Sequence, residues 1–444
     1  MGLAVDGLSS GLDTTALLNS LMQIEAIPQN LLKKKVSNTQ STITALQQLN
    51  TRIAALATQA KDTAKPAALD LFTAKTSSDA ASATVTAGAS VASLDFTVTR
   101  LAQSQVTVTD AITEWDGTTV TITGADGPVE VTAASASLDD MVSAINASGA
   151  GVTALKVAAG TNGDGDPQYR LQLTSKTSGD ASAFGLSGSS IGTTQITAAQ
   201  DAEIALWAGT AAEQTITSAT NSFENVLPGV NVTTKAVSTD PITLTVARDI
   251  AASTKVASDF VSGINGVLAM ISTRSAVTDS TDASGKAIKS PGVFTGDSTV
   301  RAANQKILSA ASLPVDGVSP SSIGITITKT GTLEFDAAAF EKALADDPAR
   351  VQGFLASLAD RVAKAATDIS DKFDGSITTK ITGQESLVKS INTQISEWDD
   401  RLTARRATLE RTFVAMEVRL SAINSQSAWL TSQLSSLTPG KDKS

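Results

Sequence analysis

Neither cysteine nor histidine occurs among the 444 residues. Without cysteine there is no disulfide framework, no thiolate nucleophile and no zinc–thiolate site. Without histidine the commonest general base and the commonest transition-metal ligand are missing. Serine triads and imidazole–metal centres are excluded by inventory, and no cofactor is expected. Aromatic residues make up only 4% of the chain. No stretch approaches the roughly 18 apolar residues of a membrane span. Positive charge is also short: 34 Lys+Arg against 44 Asp+Glu leave a net charge of -10. Nucleic-acid binding is dominated by phosphate neutralisation, so nucleic acid is not an expected partner. The tight basic run Lys33-Lys34-Lys35 reads as a solvated helix face.

The opening Met1–Asp6 lacks the basic start and apolar stretch of a cleaved secretory signal. Asp6 also stands where a myristoylation signal needs Ser or Thr. Taken alone this suggests a cytoplasmic protein. The Ala/Ser/Thr/Gly-rich, cysteine-free composition suits equally a chain exported unfolded and matured outside, and composition leaves the two open.

Helical periodicity marks both ends. Asp13 is an N-cap candidate, followed at helical spacing by Leu17, Leu18, Leu21 and Ile24. Pro28 should kink or interrupt this helix. The pattern resumes through Leu31, Leu32 and Val36, continues as Ile43, Leu46, Leu49, Ile53 and Leu56, and fades before Pro66. Near the C-terminus Val388, Ile391, Ile395, Trp398 and Leu402 alternate spacings of three and four. After Leu409 the alternation returns as Phe413, Met416, Leu420 and Ile423, then Leu430, Leu434 and Leu437. This is a coiled-coil seam. The step from Leu402 to Leu409 to Phe413 is a stutter, with Arg405 or Arg406 available to turn toward the seam. A helix from about Gly383 to Leu437 would be on the order of 80 Å long. Such a stripe needs partners.

Between the ends the period is two. Thr84–Thr86, Phe96–Thr99, Val106–Val108, Val120–Thr123, Tyr169–Leu173, Val230–Val232 and Ile242–Val246 read as Thr/Val-rich strands. Short helices are expected at Leu138–Asn146, Lys255–Thr273, Val300–Ala311 and Ala337–Ala345. Polar Ala276–Gly292 reads as a mobile loop. The order helix, sheet, helix implies that the chain leaves and returns, with its ends together.

Motifs that suggest chemistry fail on context. Gly7-Leu8-Ser9-Ser10-Gly11 fits a nucleophile elbow, but no strand precedes it and no histidine exists to take the proton. Asn162-x-Asp164-x-Asp166 begins like a calcium loop, yet Pro167 and Leu173 occupy the places of the required Gly and Glu; a hairpin tip fits better. Gly149–Ala154 lies after a helix and before a strand, the reverse of a dinucleotide fingerprint. Asp139-Asp140, Asp346-Asp347 and Asp399-Asp400 diverge by about 100° on a helix, so they read as solvated charges near helix ends.

Collinear segments resemble the flagellar cap family, also called hook-associated protein 2. They are Gly7–Asp13 with Leu21–Pro28, Phe96–Gln103 (FTVTRLAQ), Ser137–Ala154 (IN…GV.A) and Asn221–Val230 (N…PGV). Gly331–Asp336 with Ala343-Leu344 and Asp347-Pro348, and Phe413–Glu417 with Asn424–Gln426 and Leu430, complete the set. The resemblance implies an α+β fold: a coiled-coil leg of both terminal helices, bracketing β-rich inner and head domains. It suggests residues 1–75 as the N-terminal leg, 76–111 and 216–355 as the inner domain, 112–215 as the head and 356–444 as the C-terminal leg. It further implies a cyclic homo-oligomer of about five subunits at the filament tip, with flagellin, hook–filament junction proteins and an export chaperone as partners. Export would follow the flagellar type III route without cleavage. A junction protein, a flagellin-like subunit or a surface adhesin is the alternative.

The terminal stripes are the expected working surface: Leu17, Leu21 and Ile24, with Leu409, Phe413, Met416, Leu420, Ile423, Leu430 and Leu434. Burying each is worth about 1.5–3 kcal/mol, against about 0–1 kcal/mol for a surface ion pair. The competing possibility is that these residues form only the core of an intramolecular coiled coil.

Overall fold

The structure, a computed structural model, describes residues 11, 13–281 and 284–437. Its helices are α1 (Thr14–Glu25), α2 (Ile27–Thr63), α3 (Leu138–Ala147), α4 (Ile250–Ser275), α5 (Ser298–Ser312), α6 (Ala337–Asp346), α7 (Pro348–Ser370) and α8 (Ser376–Leu437). The early strands are β1 (Phe72–Thr76), β2 (Ala81–Val85), β3 (Ala92–Arg100), β4 (Val106–Thr109), β5 (Thr119–Gly124) and β6 (Gly127–Thr132). Next come β7 (Val152–Thr161), β8 (Pro167–Ser175), β9 (Gly185–Ser187), β10 (Thr193–Thr197), β11 (Ala202–Leu206) and β12 (Gln214–Ser218). The rest are β13 (Ser222–Leu227), β14 (Val230–Thr234), β15 (Ser238–Arg248), β16 (Val277–Thr281), β17 (Ala287–Pro291), β18 (Ile325–Ile327) and β19 (Leu333–Phe335). Two compact units result, one of Met1–Leu69 with Thr254–Ser444, the other of Asp70–Ser253.

The first unit is a helical bundle built on α2, which packs most extensively against α7 and α8. Ile43, Leu46, Leu49, Ile53 and Leu56, the repeat read from the sequence, are all buried. The Asp13 carboxylate accepts the Ala16 amide at 2.7 Å and starts α1. Pro28 sits in the first turn of α2, where backbone amides have no intrahelical acceptor to lose, so the break falls between α1 and α2. Apart from Gly11 and Asp13, the Gly7–Asp13 segment lies outside the described residues. Asp297, Asp336 and Asp347 cap α5, α6 and α7 through the amides of Val300, Ala339 and Arg350.

Several expectations for this unit need correction. Residues 254–355, assigned with the inner β-rich part, belong from Thr254 onward to the helical unit. The cause is a buried row on α4, namely Phe260, Ile264, Val267, Leu268 and Ile271. α4 runs beside α2, with Gly263 and Gly266 facing Gln59 and Arg52. By length and composition α4 could cross a membrane, but that same row accounts for its apolarity. Helix α7 was not expected, because Ala359, Ala363, Ala365 and Ala366 thin its apolar signal. The expected boundary at 356 therefore falls inside it, and α8 begins at Ser376 rather than near Gly383. Ala276–Gly292 is a hairpin rather than a loop: β16 pairs with β17 from Val277↔Pro291 to Thr281↔Ala287, with Asp279 and Lys289 paired across it.

The second unit holds two β cores. Sheets β1-β15-β3-β11-β12 and β13-β14-β2 enclose Phe96, Val98, Ile204, Val232, Ile242 and Leu244. Sheets β10-β4-β8-β7 and β6-β5-β9, with α3, share Trp115, Ile122, Met141, Ile145, Leu171 and Leu173. Each strand read from alternation lies in a strand of the structure, apart from Thr86 one residue past β2. Asn162 accepts the amides of Asp164 and Asp166 at 3.0 and 2.8 Å, closing the tip between β7 and β8. Buried Gln105 donates to the Phe184 carbonyl at 2.7 Å and accepts the Phe184 amide at 3.0 Å.

The same device, an amide side chain imitating a neighbouring strand, explains asparagines in the family-like segments. Asn146 of α3 donates to the Ala154 carbonyl at 3.0 Å and accepts its amide at 2.8 Å. Asn265 of α4 does so with Leu333 at 2.7 and 2.8 Å. Asn221 accepts the Ala102 amide at 2.7 Å, joining the N…PGV turn to the end of FTVTRLAQ. That turn needs glycine, since Gly229 has φ of 70° and a Cβ would lie 2.6 Å from the Ala89 nitrogen. Removing such a double bond strands a backbone amide and carbonyl, at about 1–3 kcal/mol. Asn146→Ala and Asn265→Ala should each lower stability by that amount in urea titration. Exposed Asn38→Ala should stay within about 0.5 kcal/mol.

Candidate docking surface

The two chain ends meet through α1 and α8, which pack together. The pairing is antiparallel: Asn50 donates to Thr378 at 3.2 Å, and buried Gln29 donates to the Asp399 carboxylate at 2.5 Å and the Ile395 carbonyl at 3.3 Å. Farther out, Arg405 pairs with Glu25 at 3.2 Å, and Arg406 contacts Asn19 at 3.4 Å while bridging Glu410 at 2.9 Å. At the stutter both arginines stay exposed and reach across to α1 instead of entering the seam. Of the aspartate pairs, Asp399 serves this interface, Asp347 caps α7, and Asp139 pairs with Lys156 at 2.7 Å.

The named seam residues fall into two groups. Leu21, Leu409, Phe413, Met416 and Leu420 are half-buried, in line with half-buried Ile395, Trp398 and Leu402. The others are exposed: Leu17 and Leu430 are among them, with Ile24 at 64%, Ile423 at 57% and Leu434 at 66%. The register explains the division. Continued outward, it brings the start of α1 level with the stretch around Phe413, so α8 from Ile423 onward has no facing helix among the described residues. Met416, Leu420 and Ile423 line a shallow groove with Thr408, Thr412 and Ala415, rimmed by Arg411 and Arg419.

Leu17 and Ile24 continue into exposed Ile27 and Leu31, a second stripe facing away from buried Leu18 and Gln29. Its spacing of seven, Leu17 to Ile24 to Leu31, was legible but divided by Pro28. Val414, Val418 and Trp429 are also exposed on α8; they lie off the seam's period, so spacing does not single them out. Among the described residues there is no cluster of acidic groups arranged to hold a metal. The surface can exchange water for apolar partners. That is its chemistry.

Comparison with known proteins follows this geometry. The profile described as Flagellar hook-associated protein 2 C-terminus matches residues 199–425, more than half of the chain. The chain belongs to the flagellar hook-associated protein 2 family. The N-terminal profile of the family matches residues 10–105, and the Flagellin hook IN motif matches 119–177. Within the latter, the Asn146–Ala154 brace is the physical content of the IN…GV.A segment. The A-type flagellar hook-associated protein 2 of Pseudomonas aeruginosa is 28% identical over 481 residues, covering 98% of each chain. A relative from Escherichia coli O157:H7 is 29% identical over 466 residues, covering 96% of this chain and 97% of its own. The crystal structure of the flagellar cap protein FliD D1-D2-D3 domains from Escherichia coli shares the fold. It aligns over 77% of this chain and 99% of its own, at 22% identity and a TM-score of 0.58. In this family fold, terminal helices flank β-rich domains.

The turn from α7 into α8 fixes where the long helix starts. Asp371 accepts the amides of Asp374 and Phe373 at 3.0 and 2.8 Å. These bonds hold its carboxyl below the ordinary carboxylate value, with a smaller lowering from Lys61 and slight opposition from burial. A lowered folded pKa stabilises the turn above about pH 4 and is lost as pH falls through the folded value. The Asp371 carboxyl should titrate below about 3.9 by NMR; a midpoint at or above that contradicts the bonding. At the interface itself, Leu18→Ala should weaken α1 docking by about 2–5 kcal/mol, seen as faster amide exchange across residues 14–25. Arg405→Ala should cost at most about 1 kcal/mol, vanishing in high salt.

Proposed function

We propose that this chain caps the distal end of the bacterial flagellar filament, where it promotes folding and insertion of exported flagellin and prevents its loss. It is a structural protein, not an enzyme. The observation that carries the reading is the exposed pair Ile423 and Leu430, which continues a half-covered seam past the level of α1. A helix face of this kind fits the helical ends of flagellin or of hook–filament junction proteins. Related proteins bear the names flagellar hook-associated protein 2 and flagellar cap protein.

The protein acts outside the cell, at the filament tip, after export by the flagellar type III route with a chaperone in the cytoplasm. Copies of the chain form a closed ring of about five subunits. Residues 112–215 form the head, and the terminal helices form the leg. Docking buries apolar side chains worth about 1.5–3 kcal/mol each. Fixing frayed helix costs about 1–2 kcal/mol per residue. Near-balance of the two lets the leg hold a subunit and then release it as the filament grows.

Phe413→Asp with Leu420→Asp tests the docking seam. In a strain lacking the wild-type gene, the double variant should leave filaments short and flagellin in the medium, while circular dichroism shows retained helix and sheet. Normal capping and flagellin retention by a folded double variant would remove the seam from the mechanism.

A further inference from the structure

The helical unit carries a projecting aromatic residue and a hollow at the same end. Phe373, in the turn between α7 and α8, is 77% exposed. The turn is built rather than slack, because the Phe373 and Asp374 amides are both bonded to the Asp371 carboxylate. Lys372 lies beside the ring, its ammonium 5.5 Å from the centroid. An exposed phenylalanine on a braced turn is poorly suited to water and well suited to insertion.

The hollow lies between the end of α2 and the start of α4. Ala55, Thr58, Gln59, Thr63, Ala68 and Val256 line it together with exposed Asp62 and Asp259. Among the described residues each of these carboxylates pairs with an exposed lysine on or just beyond its own helix, Lys65 and Lys255, and such exposed pairs exchange readily for another cation. Asn50 of α2 bonds Thr378 of α8, whose hydroxyl donates to the Asp371 carbonyl at 2.7 Å, and Asn50 is about 150° around the helix from the hollow, taking 100° per residue. Knob and hollow therefore occupy different flanks of α2. Each flank offers what the other lacks: ring against small apolar groups, ammonium against carboxylates.

We propose that Phe373 and Lys372 of one copy insert into the Ala55–Val256 hollow of the next. Two different patches joined head to tail form a heterologous contact, which closes into a ring when the rotation permits. The proposal rests on the ring-shaped cap described above and supplies it with a specific contact. One aromatic anchor per junction is a small interface, so assembly is concentration-dependent and sensitive to loss of that anchor.

The absence of cysteine makes the contact directly testable. Asp374→Cys, which keeps the Phe373 anchor, and Thr58→Cys both replace exposed residues and can be combined in the full chain. Under mild oxidation the double variant should give a ladder of linked species ending at the ring size, whereas either single variant should stop at dimers. Phe373→Ala should raise the concentration for half-assembly by about tenfold or more, read by native mass spectrometry. If wild-type rings form but the double variant gives no ladder, or links only within one molecule, this contact is wrong and the ring stands. If no ring forms at any concentration, both the contact and the ring are contradicted.

Discussion

Antiparallel pairing of α1 and α2 along α8 is the interaction on which the rest depends. It begins where Asn50 meets Thr378, passes Gln29 against Asp399, and ends with Glu25 and Asn19 against the two arginines at the stutter. Over this length the seam residues of α8 are covered, in part by apolar side chains and in part by a polar edge. Helix α8 has 62 residues, more than α1 and α2 together. From Leu420 to Leu437 it extends about 25 Å, at 1.5 Å per residue, beyond the level of any facing helix among the described residues. Among the described residues this one helix thus has a sealed part and an open part.

That division ties stability to function. The sealed part belongs to a bundle with an apolar core from α2, α4 and α7, reinforced by capping aspartates and by Arg361, which donates to the carbonyls of Ala310, Pro314 and Leu313. Among the described residues no helix faces the open part. On the proposed docking, its apolar side chains gain when another chain covers them, so that binding and ordering would be one event. The β-rich unit contributes differently. Its two cores rest on Thr/Val strands pinned by amide side chains, notably buried Gln105 and more exposed Asn146, which fix strand positions through geometry rather than charge.

The helical ends were readable because apolar spacing and a single capping residue determine them locally. Asp13, Pro28 and the row from Ile43 to Leu56 act within one or two turns, and strand alternation from Phe96 to Val246 acts within a few residues. Helix α7 was hidden because four of its ten buried residues are alanines, and alanine counts for little in an apolar pattern although it packs closely. The hairpin at residues 277–291 was hidden because both its faces are polar or exposed, leaving no alternation to find. The seam is legible in the sequence as spacing along one helix, but its coverage depends on where α1 begins relative to α8. Register of that kind belongs to tertiary structure. Arg405 and Arg406 show the same limit: the stutter was visible, and their partners on α1 were not.

The most direct measurement is amide hydrogen exchange along α8, in the isolated full chain and again with the protein bound to filament ends. The account predicts slow exchange in the free chain from Ile377 to about Leu402. It predicts fast exchange from Ile423 to Leu437 that becomes slow on binding. Strong protection of residues 423–437 in the free monomer, unchanged on binding, would contradict it, because the open part of the helix would then already be closed.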